Sequence, residues 1–136
     1  MKYVLDACAI LALLKAETGG SIVENLIVKA ADDTHSVFVN KYNLLEVFYG
    51  LLREDGEEAA QQQVKLIRNS PIVVIDTLSD AVFEQAGRMK AKYKISLADS
   101  VVIGQGMVDG ALIVSSDHHE FDVIEKSEKV SFLWIR

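Results

Sequence analysis

Strand-like and helix-like segments alternate along this chain from end to end, and that alternation constrains its fold more than any other feature. Short β-favouring runs lie at residues 2–5, 36–39, 72–75, 111–114 and 130–135. Helical patterns fill the intervals. Residues 7–15 are nearly all apolar, 21–31 place Ile22, Leu26 and Ile27 on one face, and 41–53 repeat Leu44, Leu45, Phe48, Leu51 and Leu52 at helical spacing. A polar helix is expected after Gly56 to about residue 69, then 79–93, 97–108 and a short one at 117–124. Gly19-Gly20, Gly56, Pro71 and Gly110 punctuate the series. Strands separated by helices run parallel, with the helices crossing over both faces, so the expected fold is a three-layer α/β/α sandwich. Residues 72–75, a continuous run of branched apolar side chains, read as a strand buried on both faces.

The 136 residues show no repeat, low-complexity tract or break in composition, which predicts one domain, 1–136, long enough for a proper core. Half the residues are apolar and only one is proline, which excludes a disordered or linker-rich chain. The uncharged runs at 100–108 and 110–116 are too short to span a membrane. The first strand begins at once, with no basic and apolar leader, and Cys8 has no partner for an internal disulfide; both features predict a cytoplasmic protein. A net charge of −6 argues against holding nucleic acid by overall field. Any such substrate needs a local basic patch, or metal ions bridging acid to phosphate.

Ligands of parallel α/β sheets collect beyond the carboxyl ends of the strands, so acids placed there carry the functional argument. Asp6 ends the first strand; its ordinary reading is a cap on the following helix. Glu46 stands among apolar neighbours in Leu45-Glu46-Val47, where the ordinary reading is a solvated helix edge. Asp99 follows Ser96 in a capping-box pattern, at the start of the most apolar helix. Asp117 follows the fourth strand, and with Glu120 forms another cap pair. Each acid taken singly has a structural explanation; together they occupy places from which one cleft can collect them. Asp76 also ends a strand, but Thr77, Ser79 and Asp80 make a capping cluster around it, and it reads as structural.

Four pieces in order, Val4-Leu5-Asp6-Ala7, Leu45-Glu46-Val47, Ser96-Leu97-Ala98-Asp99-Ser100 and Ser115-Ser116-Asp117-His118-His119-Glu120-Phe121, resemble the PIN-domain ribonucleases of the VapC toxin type over the whole chain. The resemblance implies a five-stranded parallel sheet of order 3-2-1-4-5, with the first strand central and beside the fourth, so that Asp6 and Asp117 become neighbours. It implies cleavage of RNA to 5′-phosphate and 3′-hydroxyl ends. A free-standing PIN domain of this type further implies the toxin of a toxin–antitoxin pair, with a small antitoxin partner and a homodimer; faces around Phe48, Tyr49 and Leu52 would serve such contacts. Two positions depart from the family pattern. Cys8 replaces a serine or threonine two residues after the first acid, and is a weaker donor. Ser115 replaces a threonine two before the last acid, and keeps the hydroxyl.

Four gathered carboxylates repel; two unit charges about 4 Å apart cost roughly 4 kcal/mol at an effective dielectric of about 20. Magnesium or manganese, hard ions preferring oxygen ligands, offset that cost, and the all-oxygen set argues against zinc. Asp6 and Asp99 are the first-choice metal ligands, Glu46 and Asp117 a further ligand or holders of water, and one of the four acts as general base. Arg88-Met89-Lys90-Ala91-Lys92-Tyr93-Lys94 is the densest basic run; it complements its helix dipole or, through Lys90, Lys92 and Lys94, grips RNA phosphates. His118 and His119, about 100° apart on a helix, cannot easily share a metal and read as surface residues. An Asp-nucleophile phosphatase would carry a second Asp where Cys8 stands. The alternatives that remain are a catalytically inactive PIN fold serving as a binding module, and a PIN nuclease of RNA processing.

Overall fold

A computed structural model describes all 136 residues. Five strands, β1 (Lys2–Leu5), β2 (Ser36–Asn40), β3 (Val73–Ile75), β4 (Leu112–Ser115) and β5 (Ser131–Trp134), form one parallel sheet of order β3-β2-β1-β4-β5. Seven helices connect them: α1 (Ala7–Leu14), α2 (Gly20–Ala31), α3 (Lys41–Asp55), α4 (Glu57–Arg68), α5 (Asp80–Lys92), α6 (Leu97–Asp109) and α7 (His118–Ser127). The layered fold and the strand order are those the sequence and the resemblance led us to expect.

The alternation of side chains along β1 divides the two layers. Tyr3 and Leu5 turn to a large cluster with Ile10, Val23, Leu44, Val47 and Ile67 from α1 to α4. Val4 turns the other way, to Met89, Val102, Ile103, Phe121 and Ile124 from α5, α6 and α7. Each fully buried side chain of this size contributes roughly 1.5–3 kcal/mol. The chain therefore winds outward from β1 to β3 with helices on one face, then returns and winds from β4 to β5 with helices on the other. Its direction reverses between β1 and β4, the place where open α/β sheets form their crevice.

The expectation that residues 72–75 form a strand buried on both faces is incorrect. β3 is an edge strand; Val74 packs against the large cluster, while Val73 is 53% exposed. Branched apolar residues fit any pleated surface, so they signal a strand without fixing its place in the sheet. The faces around Phe48, Tyr49 and Leu52 are also less available than expected. Phe48 and Leu52 are half-buried against the core, leaving Tyr49 exposed beneath the guanidinium of Arg53.

The helix α6 is seated unusually close to its surroundings. A Cβ at Gly104 would stand 3.0 Å from the backbone nitrogen of Ala86 on α5, and one at Gly106 would stand 2.7 Å from the side chain of Ile113 on β4. Glycine thus lets α6 approach both elements. No helix is long and apolar enough to cross a membrane.

Candidate active site

Asp6 is buried at the end of β1, 2% exposed. Its backbone N–H continues the sheet by donating to Val114 O at 3.2 Å. Its side chain caps α1, with Oδ1 accepting from the Ala9 N–H at 2.8 Å. Oδ2 accepts from the hydroxyl of Ser115, at the end of the neighbouring strand β4. No Lys, Arg or His is paired with it. Burial pushes the carboxyl up to about 7, against the pull of the Ser115 and Ala9 hydrogen bonds, and the charges of Asp99 and Asp117 add to the rise.

Ser115 ties two of the acids together. Its Oγ also accepts from the backbone N–H of Asp117 at 3.0 Å. Asp117 in turn caps α7, Oδ1 accepting from Glu120 N–H at 3.2 Å. Ser115→Ala is therefore expected to lower stability by about 1–2 kcal/mol above about pH 7, where Asp6 is ionised, and by less near pH 5. Denaturant melts at the two pH values decide this; equal losses would mean that the hydroxyl serves only the Asp117 backbone.

Asp99 stands in the first turn of α6, half-buried, its backbone N–H donating to Ser96 Oγ at 3.1 Å as the capping pattern predicts. Burial raises its carboxyl to about 6; the charge of Glu46 acts in the same direction, Ser96 opposes, and Asp117 and Glu120 add further. Glu46, half-buried on α3, is raised by burial and then by the charge of Asp117. The Cys8 thiol is pushed up to about 12 by burial and by the charges of Asp6, Asp117, Asp99 and Glu46, so it stays a protonated, weak donor. Four acids from four separate elements thus share one electrostatic neighbourhood, in which Asp6 and Asp117 each also cap a helix.

The convergence stops short of a finished coordination sphere. As the side chains are placed, no three Asp, Glu, His or Cys groups stand within reach of one metal ion. The donor set nevertheless fits a hard divalent cation: carboxylate oxygens, partly buried, like-charged and without a basic partner.

The remaining sequence candidates fall outside this neighbourhood. Asp76 lies at the far edge of the sheet, paired with Arg68 at 3.4 Å and Lys41 at 3.7 Å. His118 and His119 are exposed; His118 stacks on Trp134, and its two nitrogens meet Asp122 and the carbonyl of Arg136, each at 2.8 Å. In the basic run, Lys92 is paired with Glu128 at 2.6 Å, whereas Lys90 and Lys94 are exposed and make no ion pair. Sequence reasoning treated Glu120 only as a cap partner, although its charge reaches Asp99. It passed over the buried amides Asn40, Asn43 and Gln105 as well. A glutamine inside the most apolar helix was the visible signal for the last of these.

Comparison with solved structures finds this architecture repeatedly. DNA-bound VapBC from Salmonella typhimurium superposes with a TM-score of 0.77 at 16% identity, covering 100% of this chain and 99% of the other. VapBC2 from Rickettsia felis, bound to a DNA fragment of its promoter, gives 0.72 at 17% identity, covering 98% and 97%. VapC20 of Mycobacterium tuberculosis, a toxin that cleaves the sarcin-ricin loop, gives 0.65 at 15% identity, covering 96% and 98%. Comparison with curated protein sequences finds no match. The sequence model of the PIN domain matches residues 3–127. With that match spanning four of the five strands and all four acids, the chain belongs to the PIN domain family.

Proposed function

We propose that this chain is a divalent-cation-dependent endoribonuclease, acting as the toxin of a toxin–antitoxin pair. One observation supports the nuclease reading: Asp6, Glu46, Asp99 and Asp117, at the end of β1, on α3, on α6 and at the start of α7, act on one another through their charges, and none of them is paired with a Lys, Arg or His. Asp6 and Asp99, both raised by burial, would be the first ligands for magnesium or manganese. Glu46 and Asp117 would serve as a further ligand or hold water beside it, and one of the four would take the proton from the attacking water. The cation, when bound, supplies Lewis acidity toward the phosphodiester. Ser115 keeps Asp6 and Asp117 in register throughout.

Structural likeness to VapC20 and to the VapBC complexes supports RNA as substrate and a small antitoxin as partner. A groove of about 820 Å³ runs from Leu97 and Ser100, on either side of Asp99, past Arg88 and Lys90. Its lining is mostly apolar, with Arg88 and Lys90 as the cations that would meet RNA phosphates. Exposed Leu45, Tyr49, Phe83 and Leu97 offer apolar surface for a second copy of the chain or the antitoxin. This reading places the protein in the cytoplasm, with its substrate.

The test is cleavage of total RNA by the purified chain with magnesium, with manganese and with a chelator. Cuts leaving 5′-phosphates, lost on chelation and in Asp99→Asn, are expected. A folded wild-type protein that cuts nothing under either cation would leave a binding module in place of an enzyme. A short antitoxin-like reading frame immediately upstream is the expected genetic setting of a toxin; without one, RNA processing becomes the role. Replacing Lys90, Lys92 and Lys94 together by alanine should weaken RNA binding and flatten its dependence on salt. Lys90 and Lys94 account for most of the change, because Lys92 is already engaged by Glu128. An unchanged salt slope would dismiss the phosphate grip.

A further inference from the structure

We infer that Asn43 is a positioning residue of the carboxylate crevice, holding Glu46 and its surrounding water through the side-chain amide; this rests on the crevice being a cation site. Asn43 is 1% exposed, yet neither Nδ2 nor Oδ1 has a hydrogen-bond partner. Buried side-chain polar groups are almost always paired, so an amide with both ends unmet calls for a ligand, a water or a role. The other buried amides nearby are satisfied. Asn40 Oδ1 accepts from Tyr42 N–H at 3.0 Å, and its Nδ2 donates to Gln105 Oε1 at 3.1 Å. Gln105 Nε2 donates to Asp109 Oδ2 at 2.7 Å.

The missing partner is found one turn along α3. Glu46 is three residues on, so it shares a face with Asn43, and helical side chains lean back toward the preceding turn. No hydrogen bond reaches the Glu46 carboxylate; only burial and the charge of Asp117 act on it. A half-buried acceptor without a donor thus stands beside a buried donor without an acceptor. The inner side of α3 packs against α6, which carries Asp99, and against α1, which starts from Asp6. Leu44 and Val47, next to this pair in sequence, belong to the apolar core, where a leucine at position 43 would be equally at home. When Glu46 turns inward to join the other acids, Nδ2–H donates to its carboxylate, and Oδ1 accepts from a water in the same space.

The experiment compares wild type, Asn43→Leu, Asn43→Ala and Glu46→Gln by calorimetric titration with Mn2+ alone and by melting without divalent ions. Asn43→Leu should melt no lower than wild type in the metal-free protein, because it removes unpaired polar groups at similar volume. Its affinity for Mn2+ should fall roughly 10- to 100-fold, as outer-shell partners of metal ligands do when removed. Asn43→Ala, though weakened by a cavity, should show the same loss of affinity. Wild-type affinity in both variants would overturn the role of Asn43, as would a large metal-free loss of stability in Asn43→Leu. If wild type itself bound no Mn2+, or Glu46→Gln bound it unchanged, the failure would lie with the cation reading of the crevice.

Discussion

Asp6→Asn is expected to abolish RNA cleavage while making the metal-free protein more stable. The substitution keeps the shape of the side chain and the oxygen that accepts from Ala9 N–H, and the Ser115 hydroxyl can rotate to accept from the new amide. What disappears is a carboxylate that burial holds at about 7 instead of 3.8. Above about pH 7 that difference corresponds to a penalty on the order of 4 kcal/mol, since each unit is worth about 1.4 kcal/mol. Relief of half or more of it should raise the melting temperature by about 5–10 °C for a chain of this size. Activity should fall on the order of 10³-fold or more, as when a central catalytic group is removed. Scanning calorimetry with chelator, and a cleavage assay with magnesium, read the two effects separately. A mutant that cuts at the wild-type rate, or that melts well below wild type without metal, would show that Asp6 is only a helix cap.

The second large effect is a stability that declines with pH and is restored by divalent ions. Asp6 at about 7 and Asp99 at about 6 both hold their protons more tightly in the folded chain than in the unfolded one. Below about 3.8 both states are protonated and the crevice imposes no penalty. As pH rises through the window between that value and about 7, the folded state binds more protons than the unfolded state, so stability falls. Above about 7 the whole penalty is present. The melting temperature without metal should therefore drop between about pH 5 and about pH 8, instead of staying level across neutrality as in most proteins. Magnesium or manganese at about 100 times its dissociation constant should return about 2.7 kcal/mol at the higher pH. It should return much less at the lower pH, where protons compete for the same oxygens. A flat pH profile, or an equal effect of the cation at both pH values, would mean that the acids do not share a site.

Some of this architecture was legible because it depends on local periodicity. The change between period 2 and period 3.6 located the strands and helices, and it set the helices between parallel strands. Ser79, Ser96 and Asp117 marked helix starts through side-chain oxygens that accept from the first-turn N–H groups, and all three cap helices in the structure. The four acids could be singled out because each interrupts or ends an apolar element. Other features could not be read this way. β3 looked interior because its residues are branched and apolar, yet its place at the edge is a property of strand order. Phe48 and Leu52 looked free on a helix surface, and only the packing of α3 covers them.

By itself, the sequence determined which segments become strand or helix and which carboxylates sit at their ends, because hydrogen-bond capping and side-chain periodicity act within a few residues. Only the tertiary structure decided that one serine hydroxyl serves both Asp6 and Asp117, and that the amide of Asn43 is left unpaired near Glu46. The first joins residues far apart along the chain, and the second follows from burial of α3; both depend on distance in space. The carboxyl of Asp6 therefore stands near 7 because of neighbours that its own stretch of sequence does not contain.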